Sequence, residues 1–149
     1  MRNIYFTLSE DETSRVGRDL VKRLPSRAIV LLQGELGAGK TAFVRGLVHG
    51  AGGTIEDVSS PTFVLAQEYS GSRKVFHVDL FRLAHVEIDD FLPELEDLIT
   101  QEGILAIEWA DRMSRPLCDA ITVVIEDKGN DSRRIVIEET NRTSDYESQ

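Results

Sequence analysis

One cysteine, Cys118, is all that 149 residues offer, so no disulfide can form within the chain and no cysteine-rich zinc site is possible. That scarcity suits a reducing compartment, and the cytosol is the expected location. No apolar run approaches the ~20 residues that a helix needs to cross a bilayer. The opening residues, MRNIYFTLSEDE, lack the apolar stretch of a secretory leader. Basic residues are scarce too: 17 Lys and Arg stand against 26 Asp and Glu, giving a net charge of -9. So acidic a surface repels phosphate backbones, which excludes strong direct nucleic-acid binding unless a clustered basic patch overrides it. Such a protein can still work on RNA by docking onto a more basic partner. There is no internal repeat. With 41% hydrophobic residues the chain can nonetheless bury an ordinary core, and its length fits one domain.

What the chain does contain is an alternation of strand and helix patterns. Asn3 to Leu8 reads as a short strand. Ser9-Glu10-Asp11-Glu12 follows as a capping box, in which the Ser9 hydroxyl accepts from a first-turn amide and Glu12 reaches back. Val16, Leu20 and Leu24 mark an amphipathic helix that stops at Pro25. Ala28 to Leu32 is a continuous apolar run, the pattern of a strand buried on both faces. Phe43, Val44, Leu47 and Val48 give the face of a second helix, closed by Gly50, Gly52 and Gly53. Phe63, Leu65 and Tyr69 alternate along a strand, Lys74 to Phe81 is another, and Gly71 between them suggests an antiparallel hairpin. Glu87 to Thr100 has helical composition, with Pro93 suited to restart the helix in a first turn. Ile104 to Ile107 is a short buried strand ending in Glu108-Trp109. Ala120 to Ile125 and Arg133 to Ile137 form a last hairpin across Asp127-Lys128-Gly129-Asn130. The fold expected is one three-layer α/β domain over residues 1–139, with parallel core strands and antiparallel strands at the edges. Polar residues 140–149 are expected to be a disordered tail.

The chemistry begins at Gly34-Glu35-Leu36-Gly37-Ala38-Gly39-Lys40-Thr41, which satisfies the P-loop pattern G-x-x-x-x-G-K-[ST]. The glycines let the backbone turn tightly, so that consecutive N–H groups surround the phosphates of a nucleotide. The following helix adds the positive end of its dipole. The phosphate-binding set is therefore Gly34, Gly37, Ala38, Gly39, Lys40, Thr41 and Ala42. Lys40 is placed to neutralise the β- and γ-phosphates, and the Thr41 hydroxyl to ligate Mg²⁺. Four such fixed positions recur by accident in roughly one chain in two hundred of this length. Here the motif also follows a buried strand and opens an amphipathic helix, the context that it requires. Without an N-K-x-D segment to read guanine, adenine is the expected base, and ATP the ligand.

A P-loop alone only binds; hydrolysis needs an acidic group near the Mg²⁺ and something to position water. Two carboxylates stand at suitable places. Glu108 ends a buried strand, where a parallel sheet presents its ligands, although a solvated strand terminus is the alternative. Asp79 lies inside the otherwise apolar run Val75 to Phe81, where an ion pair with Arg82 is the alternative to catalysis. His77 reads as a structural histidine. Arg133 and Arg134 read as a solvated strand face rather than as nucleotide contacts.

Beyond the P-loop the chain carries Ser60-Pro61-Thr62-Phe63, then His77-Val78-Asp79-Leu80-Phe81-Arg82-Leu83, then Ile107-Glu108-Trp109. In that order and spacing these residues resemble the TsaE (formerly YjeE) family, bacterial ATPases required for threonylcarbamoyladenosine modification of tRNA. The resemblance covers roughly residues 5 to 138. It implies that Lys40 and Thr41 contact phosphate and Mg²⁺, that Glu108 is the second protein group at the metal, and that Asp79 is needed for hydrolysis. It further implies that Thr62 is a switch-type threonine sensing the γ-phosphate and that Trp109 lies beside the active site. TsaD and TsaB are the implied partners, with tRNA met only through them. Glu35 and Phe81 depart from the usual aspartate and tyrosine, and Phe91-Leu92-Pro93-Glu94 lacks the glycine that relatives commonly carry. The competing reading is a small P-loop kinase passing the γ-phosphate to a small-molecule acceptor. Such kinases close an arginine-rich lid, whereas Ile55 to Ser59 and Asp111 to Asp119 offer only Arg112 and Arg115.

Overall fold

The computed structural model describes residues 2–35, 37–54, 58–63, 66–80, 85–108 and 119–139. The elements run β1 (Arg2–Thr7), α1 (Glu10–Val21), β2 (Arg27–Gln33), α2 (Lys40–Gly50), β3 (Val58–Phe63), β4 (Ala66–Tyr69) and β5 (Val75–Asp79). They continue with α3 (His85–Thr100), β6 (Gly103–Glu108), β7 (Ala120–Gly129) and β8 (Ser132–Glu139). All the strands join one sheet in the order β1-β8-β7-β2-β6-β5-β4-β3. The central strands β7, β2, β6 and β5 are parallel neighbours, while β1 and β8 on one side and β4 and β3 on the other pair antiparallel. This is the mixed α/β sheet expected from the sequence.

Two cores follow from the pleat, because successive side chains leave a strand on opposite faces. Ala28, Val30 and Leu32 of β2 join Leu20 and Val21 of α1 and Phe43 and Leu47 of α2 on one face. Ile29 and Leu31 of the same strand pack with Leu105, Ile107 and the Leu95, Leu98 and Ile99 side of α3 on the other. A strand buried on both faces has no room for polar alternation, which is why its sequence reads as one apolar run. Among the described residues no helix is long and apolar enough to cross a membrane.

The start of α1 is set by Ser9, whose hydroxyl accepts from the Glu12 amide at 3.1 Å. The return bond from Glu12 lands one residue earlier than a capping box requires, on the Leu8 amide at 2.8 Å. Four local readings need correction. Phe63 and Tyr69 belong to two strands rather than one, since the chain reverses between Phe63 and its partner Ala66; alternation does not register a reversal that keeps its phase. Pro93 lies within α3, which runs unbroken from His85, so the helix forgoes one backbone bond there instead of restarting. Asp79 is the last residue of β5, not an interior one. The tip of the last hairpin is Asn130-Asp131, both with positive φ as a tight two-residue turn demands.

Helices α1 and α2 touch through glycine. A Cβ added at Gly46 would sit 1.9 Å from the Ser14 carbonyl oxygen, a backbone atom that no rotamer change can move. Gly46→Ala should therefore push the helices apart and cost about 1–3 kcal/mol. Thermal melting followed by circular dichroism should show a loss of several degrees; an unchanged melting temperature would mean that the two helices are not held this closely.

Candidate active site

The loop between β2 and α2 is shaped by backbone conformations that favour glycine. Gly39, the N-cap of α2, has φ +113° and offers no side chain to its first-turn amides. A helix N-terminus attracts negative charge through its first-turn amides and its dipole, so this end of α2 suits an anion. Lys40 starts the helix with its side chain 5% exposed. Its ammonium donates to the Gly34 carbonyl at 2.7 Å, spanning the loop, and stands 3.7 Å from Glu108 Oε1.

Sheet register brings the acids to the loop. Leu32, just before the loop, pairs with Glu108 on β6, and Glu108 pairs with Asp79 on β5. The P-loop exit and the two carboxylate residues therefore form one row at the carboxyl ends of neighbouring parallel strands, where this class of sheet binds ligands. Glu108 is 7% exposed, which excludes the solvated terminus. Its Oε2 lies 2.6 Å from His77 Nε2. Burial pushes the Glu108 carboxyl up, but the His77 hydrogen bond and charge, with Lys40, outweigh it and hold the group below the usual carboxylate range.

The sign of that shift makes a prediction. A carboxylate with a depressed folded value contributes stability above its ordinary value, and the contribution fades as pH falls through the lower folded one. Glu108→Gln should flatten the acid side of the stability profile, seen as melting temperature between about pH 5 and pH 3. Parallel profiles for the two proteins would contradict the assignment.

A cleft of about 400 Å³ opens over this row, lined by Gly37, Gly39, Lys40, Thr41, Ala42, Asp79 and Glu108 among the expected residues. Gly34 and Ala38 do not line it; the Gly34 carbonyl accepts from the Lys40 ammonium. The Ala38 side chain is buried in the core, so only its backbone is available to the loop. Thr62 lies on the backbone of β3, the outermost strand, four places from β2. At ~4.8 Å per strand that is roughly 19 Å across the sheet. Leu36, Leu65, Phe81, Arg82, Trp109, Arg112, Arg115, Cys118 and the 140–149 tail lie outside the described residues.

The cleft also holds residues that were not anticipated. His77 lines it while bonding Glu108, so a histidine that supports the structure also faces the cleft; its spacing of two from Asp79 on one strand is the available signal, since such residues share a face. Ser9, Glu10 and Thr13 bring the start of α1 to the rim, and Asp131 brings the tip of the β7–β8 hairpin. Arg133 lines the cleft as well, its side chain 15% exposed and its Nε donating to the Ala38 carbonyl at 2.7 Å. The solvated strand face therefore describes Arg134, paired with Glu126 at 2.7 Å, but not Arg133.

Known proteins resemble this chain in fold and in sequence. Bacillus subtilis YdiB, a solved structure, matches with a TM-score of 0.76 over 98% of this chain and 90% of its own, at 22% identity. That likeness concerns the fold alone. The Synechocystis sp. protein named tRNA threonylcarbamoyladenosine biosynthesis protein TsaE is 42% identical over 114 residues, 73% of this chain and 71% of that one. The Treponema pallidum protein of the same name is 35% identical over 130 residues, 87% of this chain and 95% of that one. The sequence pattern of the family described as Threonylcarbamoyl adenosine biosynthesis protein TsaE matches residues 7–135, a span that holds the P-loop, both carboxylates and Arg133. The chain belongs to the TsaE family of threonylcarbamoyl adenosine biosynthesis proteins.

Proposed function

We propose that this protein binds ATP with Mg²⁺ in the cleft and hydrolyses it in support of threonylcarbamoyladenosine modification of tRNA. The observation that carries the reading is the row of Glu108 and Asp79 beside Lys40 at the carboxyl ends of parallel strands. The α2 amides and Lys40 would hold the phosphates. Thr41 and Glu108 suit a hard cation and are the groups that would hold Mg²⁺. Among the described residues no three His, Cys, Asp or Glu side chains form a metal-holding group. A cation here would thus depend on phosphate oxygens and water as well, the usual habit of Mg²⁺. When bound, Mg²⁺ would offset charge on the β- and γ-phosphates. Asp79 is the candidate to orient water and take its proton. His77 keeps Glu108 turned toward Lys40.

We assign the activity to the service of the TsaB–TsaD pair in the cytoplasm, with tRNA reached through that pair. A net charge of -9 argues against direct tRNA binding. Thr62 remains the proposed γ-phosphate sensor, and its place on the edge strand means that the Ser60–Phe63 segment would have to approach the P-loop to make the contact. Incubation with ATP, Mg²⁺ and candidate acceptors separates this reading from a kinase: phosphate should be released and no acceptor labelled. Titration of TsaB–TsaD should show an affinity that differs between an ATP analogue and ADP. Tight tRNA binding by the isolated protein at physiological salt would contradict the charge argument.

A further inference from the structure

Arg133 enters the site from β8, opposite Thr7 on β1 and Asp127 on β7. Its guanidinium is held at both ends. One nitrogen donates to Asp127 Oδ1 and to the Ser132 carbonyl, each at 3.0 Å, while Nε donates to the Ala38 carbonyl at 2.7 Å. The remaining nitrogen reaches the Gly37 carbonyl at a long 3.5 Å. A planar group fixed in this way can hold another group in place, which a flexible ammonium does poorly.

The target of that grip is one peptide unit. Carbonyl and N–H point in opposite directions across a planar trans peptide, so pulling the Ala38 oxygen toward Arg133 turns the Gly39 N–H the other way. This unit is easily reversed, because a flip turns ψ of Ala38 and φ of Gly39, and Gly39, at φ +113°, has no side chain to resist it. A flip would replace a donor with a carbonyl oxygen, which repels phosphate. Ala38 cannot restrain the unit through its own N–H, which already donates to the Glu35 carbonyl at 3.0 Å on the other side of the residue.

We propose that Arg133 is a positioning residue that locks the Ala38–Gly39 peptide with its N–H toward the nucleotide, acting through the loop backbone rather than by touching phosphate. The inference rests on the reading of this loop as a phosphate site. It predicts an unusual order among substitutions. Glutamine carries its amide nitrogen at the same number of bonds from Cα as arginine carries Nε, so Arg133→Gln can still donate to Ala38 without any charge. Arg133→Lys keeps the charge but places its donor one bond too far.

The test measures ATP affinity by calorimetry, and the Gly39 amide resonance without nucleotide, in wild type, Arg133→Gln, Arg133→Lys, Arg133→Ala and Lys40→Ala. Arg133→Ala should weaken ATP about tenfold, the scale of one charge-assisted hydrogen bond. Its Gly39 resonance should shift, and Arg133→Gln should restore both readouts better than Arg133→Lys. If lysine rescues better than glutamine while the Gly39 resonance never moves, the guanidinium acts by charge on the phosphates and the inference is overturned. Wild-type affinity in Arg133→Ala would overturn it too. Should Arg133→Ala not fold, the comparison of glutamine with lysine decides alone. Lys40→Ala separates the two levels: unchanged ATP binding there sinks the phosphate-site reading itself, whereas its loss beside a normal Arg133→Ala sinks only the role of Arg133.

Discussion

Lys40→Ala should lower ATP affinity at least tenfold while the protein still folds. Charge-assisted contacts of the kind expected between this ammonium and the phosphates are worth about 1.5–3 kcal/mol, and tenfold corresponds to about 1.4. Lys40 is only 5% exposed, with its ammonium 2.7 Å from the Gly34 carbonyl and 3.7 Å from Glu108 Oε1, and it lines the cleft. Removing the ammonium leaves Glu108 with its 2.6 Å His77 partner, so the loss of stability should be modest. Calorimetry and thermal melting measured together check this. Unchanged affinity, or a protein that no longer folds, would count against the assignment.

Asp79→Asn should leave ATP binding within a few fold of wild type and reduce hydrolysis by about a hundredfold or more, the usual scale for losing a positioned general base. Asp79 sits beside Glu108 in register but one strand further from the P-loop, which fits the proposed task of orienting water rather than holding phosphates. Glu108→Gln should fail differently, weakening Mg²⁺-dependent binding, because a neutral amide is a poorer ligand for a hard cation. Phosphate release and binding measured on both variants distinguish the roles. Equal loss of binding in the two would make Asp79 a metal or structural group.

The parts of the site that the sequence discloses are those whose chemistry is local. The buried strand, the glycine-rich turn and the helix that follows occupy adjacent positions, so pattern and spacing alone define the loop. Glu108 and Asp79 are accessible through an anomaly, a carboxylate ending one apolar run and another inside a second, and through likeness to a family. Arg133 is not accessible in that way. Its partner Ala38 lies 95 positions earlier, and they meet because β8 pairs with β7 and β7 with β2 in the sheet. Strand order depends on crossovers that local periodicity does not encode. The same limit explains Ser9 and Thr13, which reach the cleft through the close packing of α1 on α2 at Gly17 and Gly46. For Thr62 the difficulty is reversed, since a family motif named the residue while the sheet places it on the far edge strand.

We propose that the row of Lys40, Glu108 and Asp79 forms a site for ATP with Mg²⁺. Calorimetric titration of the full chain with ATP, in the presence and in the absence of Mg²⁺, tests it most directly. One ATP should bind saturably per chain, more tightly with Mg²⁺ in the wild type and with no Mg²⁺ effect in Glu108→Gln. No saturable binding, or wild-type binding that ignores Mg²⁺, would contradict it.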